Sequence, residues 1–435
     1  MNGLAAAALL ARGGARVLLL EKRATPPEPQ GPLFALDPDL VRTLTLARHG
    51  LGFRRHDLKL AVWDHDEPPL LLSRDSRTTA WMLARISRAD AEAWGPFQAQ
   101  LLAQARRLRR WWFKPQARGA AEAMFFGHGA RRRFLHHSLM GADAFLARYF
   151  ETPRLVSALL HDALPGGLAP SEPGSALALV WRAAQQMAGG DGAVALAEPG
   201  ALIVALKAAC GAQMRFGAAV TEILTTRDGA GVRLGDGEII EARAVLSTLT
   251  RARTEALAGF DRPASVSAVG AARIRLTLAE GAALPPLLEE ARVVLALLPE
   301  DYADAHEAAR AGRLPSPLPL SLVAEGPRSL RLTLPLAPVA PPDGWAVLQA
   351  PLAAAAIRGL RRHLPGLADA MTGVTVTPPK HLARASLARL VAPALARAST
   401  RVERLYLCGE EAEPVPCVSG RAGRFAAFFA VRALQ

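Results

Sequence analysis

Cysteine and lysine are scarce in this chain of 435 residues, which has three cysteines (Cys210, Cys408, Cys417) and five lysines (Lys22, Lys59, Lys114, Lys207, Lys380). The cysteines form no CxxC and no metal-ligand spacing, so neither a disulfide scaffold nor a zinc site is indicated, and a reducing, cytoplasmic compartment is expected. No uncharged apolar run reaches the roughly 18 residues of a spanning helix. The stretch from Leu4 to Leu20 is broken by Arg12 and Arg16 with no basic region before it, so it reads neither as a span nor as a signal peptide. Membrane association is therefore expected to be peripheral, at the inner face.

What is present is apolar and arginine-rich. Hydrophobic residues make up 51% and charged residues 21%, too hydrophobic for a disordered chain, and the length implies two or three domains. The formal charge is +13. Between Leu101 and His137 stand Arg106, Arg107, Arg109, Arg110, Lys114, Arg118, Arg131, Arg132 and Arg133 against Glu122 alone, so the excess is concentrated on one segment. Such a segment favours an acidic partner: nucleic acid, anionic lipid or a phosphate-bearing cofactor.

Along the chain, the strong helix formers from Asn2 to Arg12 stop at Gly13-Gly14, and Ala15–Glu21 is a short apolar run closed by an acid, the pattern of a buried parallel strand. Residues 80–195 read as mainly helical, with Phe97, Leu101, Ala105, Leu108 and Trp112 on one face and Arg106, Arg107 and Arg110 opposite. Short strands follow at Met214–Gly217, Val220–Thr226, Gly231–Leu234 and Glu238–Ser247, then β-like runs at Val266–Leu278, Arg292–Leu298, Leu318–Ala324 and Ser329–Leu334. Helical stretches return at Ala353–His363 and Leu382–Ala398. The chain ends with a strand at Leu405–Gly409, a loop, and a helix from about Gly420 to Leu434.

A helix opening at Asn2-Gly3 and a strand ending in Glu21, 18 residues on, match the second half of a dinucleotide-binding βαβ unit. The preceding strand and two glycines would lie before Met1, so the coding sequence is expected to begin upstream. At the other end, Leu405-Tyr-Leu-Cys-Gly409-Glu410 and Val418-Ser419-Gly420-Arg-Ala-Gly423 run strand, glycine, acid, loop and helix. A strand feeding a helix start directs free N–H groups and a positive dipole end at an anion or a flavin ring.

With these motifs the sequence resembles the phytoene desaturase-like branch of the flavin amine oxidase superfamily, including the group labelled pyridine nucleotide-disulfide oxidoreductase domain proteins. There the N-terminal stretch looks like GAGHNGLAAAALLAR followed by VLVLE, and the C-terminal one like LYLCGAGTHPGGGVSGAPGRNAA. The resemblance implies an α/β architecture: a Rossmann-like FAD-binding domain from residues 1–70, 196–260 and 399–435, a helical cap at 71–195, and a sheet-rich (α+β) substrate domain at 261–398. It implies Gly3 as the third glycine of the fingerprint, Glu21 on the adenosine ribose, and Val220 presenting backbone groups to adenine. Gly409 and Glu410 would lie along the ribityl-pyrophosphate, and Val418 and Ser419 would face the flavin. The activity implied is FAD-dependent dehydrogenation of a hydrophobic small molecule by hydride transfer to flavin; no catalytic residue and no metal site is assigned.

Several cofactor segments depart from the family. Val415-Pro416-Cys417 stands where it has three glycines, Ala197-Glu198-Pro199-Gly200-Ala201-Leu202 where it has GGMGAL, and the glycine pair after the ribose carboxylate is missing between Arg23 and Pro32. A cofactor-free homologue, acting as a partner subunit or lipid-binding scaffold, is the alternative reading, and a protein partner or homo-oligomer stays open. His136-His137 reads as a surface feature, since adjacent helical side chains do not face one ligand. Cys417 reads either as a redox thiol or as a small buried hydrophobe. The arginines at 106, 107, 110, 131, 132 and 133, with Trp111-Trp112-Phe113 and Phe125-Phe126 interleaved, form either an interfacial surface for anionic membranes or a solvated face on a core-packed helix. No nucleic-acid motif accompanies the charge.

Overall fold

The computed structural model describes residues 1–25, 36–55, 59–64, 67–115, 127–187, 194–196, 200–226, 229–260, 267–380, 385–415 and 419–435. The alanine-rich first helix spans Asn2–Arg12 and buries Ala5, Ala6, Ala7 and Ala8. Short side chains let it lie close to its neighbours. It leads into the strand Leu18–Glu21, which pairs in parallel with Gln213–Phe216. A second parallel ladder joins Val245–Ser247 to Leu405–Leu407. Among the described residues no ladder joins these two pairs. This is why Leu18–Glu21, expected to be buried, is half-buried at every position: one edge has a partner and the other has none.

The largest sheet has seven strands, in the order Met371–Thr377, Val269–Leu278, Ser329–Pro338, Ser321–Gly326, Ala291–Leu295, Lys59–Trp63 and Leu70–Leu72. Most neighbours are antiparallel, but Ala291–Leu295 and Lys59–Trp63 run parallel. The sheet thus draws in residues 59–72, most of which the sequence reading places with the dinucleotide segments. Alternation along Val269–Leu278 buries Ala272, Ile274, Leu276 and Leu278 against Leu352, Ala356 and Leu360 of the helix Gly344–His363. A separate three-stranded antiparallel meander is formed by Val220–Thr226, Gly229–Leu234 and Ile239–Ala242. The helical expectation over 382–398 resolves into two short helices, Leu387–Val391 and Ala394–Ala398, with Pro393 between them.

The cap is helical: Ser76–Leu83, Arg88–Phe113, His128–Leu139, Ala142–Leu146, Pro153–Ala163 and Ser175–Met187. The long helix Arg88–Phe113 starts where the Ser87 hydroxyl accepts the Asp90 N–H. Asp90 is itself fully buried and accepts the N–H groups of Glu151 and Thr152, both at 2.9 Å, so one carboxylate pins two segments. The expected apolar face is present, with Phe97, Ala105, Leu108 and Trp112 buried and Arg106 and Arg107 exposed. Trp111, Trp112 and Phe113 are all buried too, and the Trp112 indole donates to the Leu390 carbonyl at 2.8 Å. They belong to the core and not to the basic surface; Phe125 and Phe126 lie outside the described residues. No described helix is long and apolar enough to cross a membrane.

Candidate cofactor site

The N-terminal ends of the first and last helices meet. Asn2, almost fully buried, accepts the Gly420 N–H on its side-chain oxygen at 2.9 Å. Gly423, one turn into the last helix (Arg421–Leu434), lies so close to the first helix that a Cβ there would stand 2.1 Å from the Asn2 carbonyl oxygen. Only glycine permits this crossing. Gly3 and Gly409 both press on Thr248, just past the strand Val245–Ser247. A Cβ on Gly3 would meet the Thr248 methyl at 2.9 Å, and one on Gly409 would meet its carbonyl oxygen at 2.4 Å. Contacts within the protein alone account for the lack of a side chain at Gly3 and Gly409.

The acids expected at the site lie near the chain's α-amino group. Glu21 ends its strand, half-buried, and one carboxylate oxygen accepts the Arg23 N–H at 3.1 Å. Glu410 forms an ion pair with Lys380. Burial pulls the Met1 α-amino group below its ordinary range, while Cys408, Glu410 and Glu21 act to raise it and Lys380 to lower it. Cys408 is wholly buried, and burial pushes its thiol up to about 12, so it is an inert hydrophobe at neutral pH. Val220 opens the antiparallel meander opposite Leu234, two residues past Ala218, whose N–H donates to the Glu21 carbonyl at 3.0 Å.

At the last helix the donors are already used. Gly420 N–H goes to Asn2, Arg421 N–H to the Ser419 hydroxyl at 3.0 Å, and Ala422 N–H to Glu413 at 3.1 Å. Ser419 is fully buried and its hydroxyl donates to the same Glu413 oxygen. The other Glu413 oxygen accepts Arg421 Nη1 at 3.2 Å, both side chains being 1% exposed. The second Arg421 nitrogen donates to Gln185 of the cap at 3.1 Å, and its guanidinium carbon sits 3.9 Å from the Phe113 ring centre. Composition and spacing did not reveal this knot, because it ties residues 113, 185, 413 and 421 from three separate stretches. Pro416, Cys417 and Val418 lie outside the described residues.

Three arginines, Arg397 buried and Arg251 and Arg389 half-buried, hold the loop that carries Glu413. Arg251 takes Glu411 on its backbone N–H at 2.7 Å and donates to the carbonyls of Ser399 and Arg397 at 2.6 and 3.0 Å. Arg389 donates to the carbonyls of Glu411 and Glu413, and Arg397 to those of Ala412 and Ala392. Burial draws Arg397 down to about 10.

These residues fit one end of FAD. The first helix begins with no side-chain cap and no acid in its first turn, with Glu21 at the neighbouring strand end. This suits a pyrophosphate and ribose. The start of the last helix does not fit a flavin ring as arranged, since Asn2, Ser419 and Glu413 hold the Gly420, Arg421 and Ala422 N–H groups. Elsewhere, a cleft of about 540 Å³ lies between cap and sheet domain, lined in part by Asp143, Phe150, Glu151, Val156, Leu298 and Glu300. It includes none of the expected cofactor residues. Among the described residues no cluster of His, Cys, Asp and Glu could hold a metal ion.

The architecture is that of the amine oxidases. The chain is similar over its full length to putrescine oxidase bound to putrescine, covering 96% of that chain at 13% identity with a TM-score of 0.64. It is similar over 99% of its length to an oxidoreductase from Methanosarcina mazei, covering 98% of that chain at 14% identity and a TM-score of 0.61. Cyclohexylamine oxidase from Brevibacterium oxydans IH-35A matches over 100% of this chain and 97% of its own, at 14% identity and 0.57. At these identities the likeness is one of fold. No protein-family model and no curated protein matches the sequence.

Proposed function

We propose that the chain is a FAD-dependent oxidoreductase that dehydrogenates a hydrophobic small molecule, on the pattern of the phytoene desaturase-like proteins its motifs resemble. The observation that carries this reading is the start of the first helix, uncapped and without an acid in its first turn, with Glu21 at the end of the strand that follows it. In this reading Glu21 accepts hydrogen bonds from the adenosine ribose, and the first-helix N–H groups neutralise the pyrophosphate. Gly3 and Gly409 hold helix and loop tight against Thr248, which fixes that end of the site. FAD supplies the hydride acceptor when bound. The test is the visible absorption of the purified protein, with flavin identified after denaturation; stoichiometric flavin supports the reading.

The buried Glu413–Arg421 pair favours a second reading, a flavin-free homologue that serves as a partner subunit or lipid-binding scaffold. A colourless protein whose melting temperature does not move in saturating FAD supports this reading over the first, because a ligand that binds only the native state stabilises it.

In either reading the arginine face of the cap is a docking surface for anionic membranes. Arg106 and Arg107 on the long helix and Arg131, Arg132 and Arg133 on His128–Leu139 are exposed. Leu135 and the exposed Leu139 follow Arg131 at helical spacing of four, which gives this face an apolar margin suited to a bilayer surface.

A further inference from the structure

The start of the last helix has the parts of an anion site, and the chain fills it with its own carboxylate. We infer that Glu413 is an internal ligand of an oxyanion site formed by the Ala422 N–H, the Ser419 hydroxyl and the Arg421 guanidinium. Three features support this. Glu413 is not the helix's own cap: Gly420 occupies that position in the left-handed region with no side chain to offer, and the carboxylate arrives from a loop seven residues earlier. Each Glu413 oxygen is bonded, one to Ser419 and Ala422 and the other to Arg421. Arg421 is fully buried and is also held by Gln185 and the Phe113 ring, so Glu413 is not its only partner.

A buried guanidinium at a helix start is an unfavourable pair of like electrostatic ends unless an anion sits between them. Glu413 supplies that anion by an intramolecular contact. A carboxylate, or the electron-rich edge of a heteroaromatic ring, would compete for the same three donors. The site is therefore closed to external anions while Glu413 holds it and open once the carboxylate is gone. This self-ligation stands apart from flavin binding at the first helix.

The experiment compares wild type, Glu413→Ala and the double variant Glu413→Ala/Arg421→Met by thermal unfolding in sodium formate against sodium chloride at equal ionic strength. Formate should raise the melting temperature of Glu413→Ala by about 2 °C or more over chloride and leave wild type unmoved. The double variant should lose the response. If Glu413→Ala does not fold in chloride, recovery of its helical signal on refolding in formate is the same result. No difference between formate and chloride, or an equal response in wild type, overturns the assignment. FAD titrated into Glu413→Gln separates this from the cofactor reading. Binding about ten-fold tighter than wild type places Glu413 in the cofactor's way. Formate rescue with unchanged FAD affinity leaves the internal ligand standing and removes flavin from this helix end.

Discussion

Asn2 and Gly420 are 418 positions apart and share one hydrogen bond, the Asn2 side-chain oxygen accepting the Gly420 N–H at 2.9 Å. The bond fastens the two helices on which the site depends. Asn2→Ala leaves a buried N–H without a partner and should cost about 1–3 kcal/mol in urea unfolding. Gly423→Ala forces the helices apart against the Asn2 carbonyl and should cost about 3 kcal/mol. Unfolding midpoints equal to wild type would show that the crossing is not tight.

Glu21→Ala should weaken FAD about ten- to hundred-fold if the ribose contact is made there, through loss of hydrogen bonds to a charged acceptor. Arg23 also loses its bond to this carboxylate, so circular dichroism should accompany the flavin titration. Equal flavin affinity in variant and parent removes Glu21 from the site.

Reversing Arg106, Arg107 and Arg110 to Glu should abolish co-sedimentation with phosphatidylserine vesicles at low salt, each basic residue near such a surface contributing about 1 kcal/mol. Because Trp111 and Trp112 are both only 1% exposed, wild-type binding should be electrostatic and reversed by added salt. Binding that survives both salt and charge reversal contradicts this surface.

At the seam between cap and sheet, Asp162 lies between Arg182 at 3.0 Å and Arg292 at 2.6 Å. Burial acts to raise its carboxyl, but the two guanidinium groups overcome this and hold it below the usual carboxylate range. Next to it, burial and then Arg292 pull His161 from 6.5 down to about 3. The unfolded chain therefore takes up the histidine proton first as pH falls below 6.5, so this stability is complete above that value and lost towards about 3. The Asp162 contribution has the same sign, present above the unfolded carboxylate pKa and lost as pH falls through the lower folded value. His161→Gln should flatten the acid limb of stability against pH by about 1.4 kcal/mol per unit. An unchanged slope in urea titrations across that range would count against a buried neutral His161.

Local pattern carried much of the architecture. The apolar face from Phe97 to Trp112 and the strands near 269–278 and 329–338 follow periods of 3.6 and 2 that neighbouring residues alone define. The first helix and its strand were legible for the same reason. Pairings across long separations were not. Lys59–Trp63 joins a strand some 230 residues away, and nothing in its own five residues names that partner. Trp111, Trp112 and Phe113 read equally as a membrane margin or as core, since a bulky aromatic beside arginine serves both; only the packing against Leu177, Trp181 and Leu390 decides. Neither Glu413 nor Arg421 was singled out in the sequence, because a buried pair leaves no trace until both ends are folded.

Arg251, Arg389 and Arg397 grip the segment from Ala392 to Glu413 mainly by its carbonyl oxygens. Every amino acid offers that same carbonyl, and two of the three guanidinium groups, those of Arg251 and Arg389, stand outside the segment whose path they set. A side chain exchanged at Ala412 would leave these carbonyl contacts in place, whereas Glu411 and Glu413 also bind through their carboxylates and tie the trace to Arg251 and Arg421.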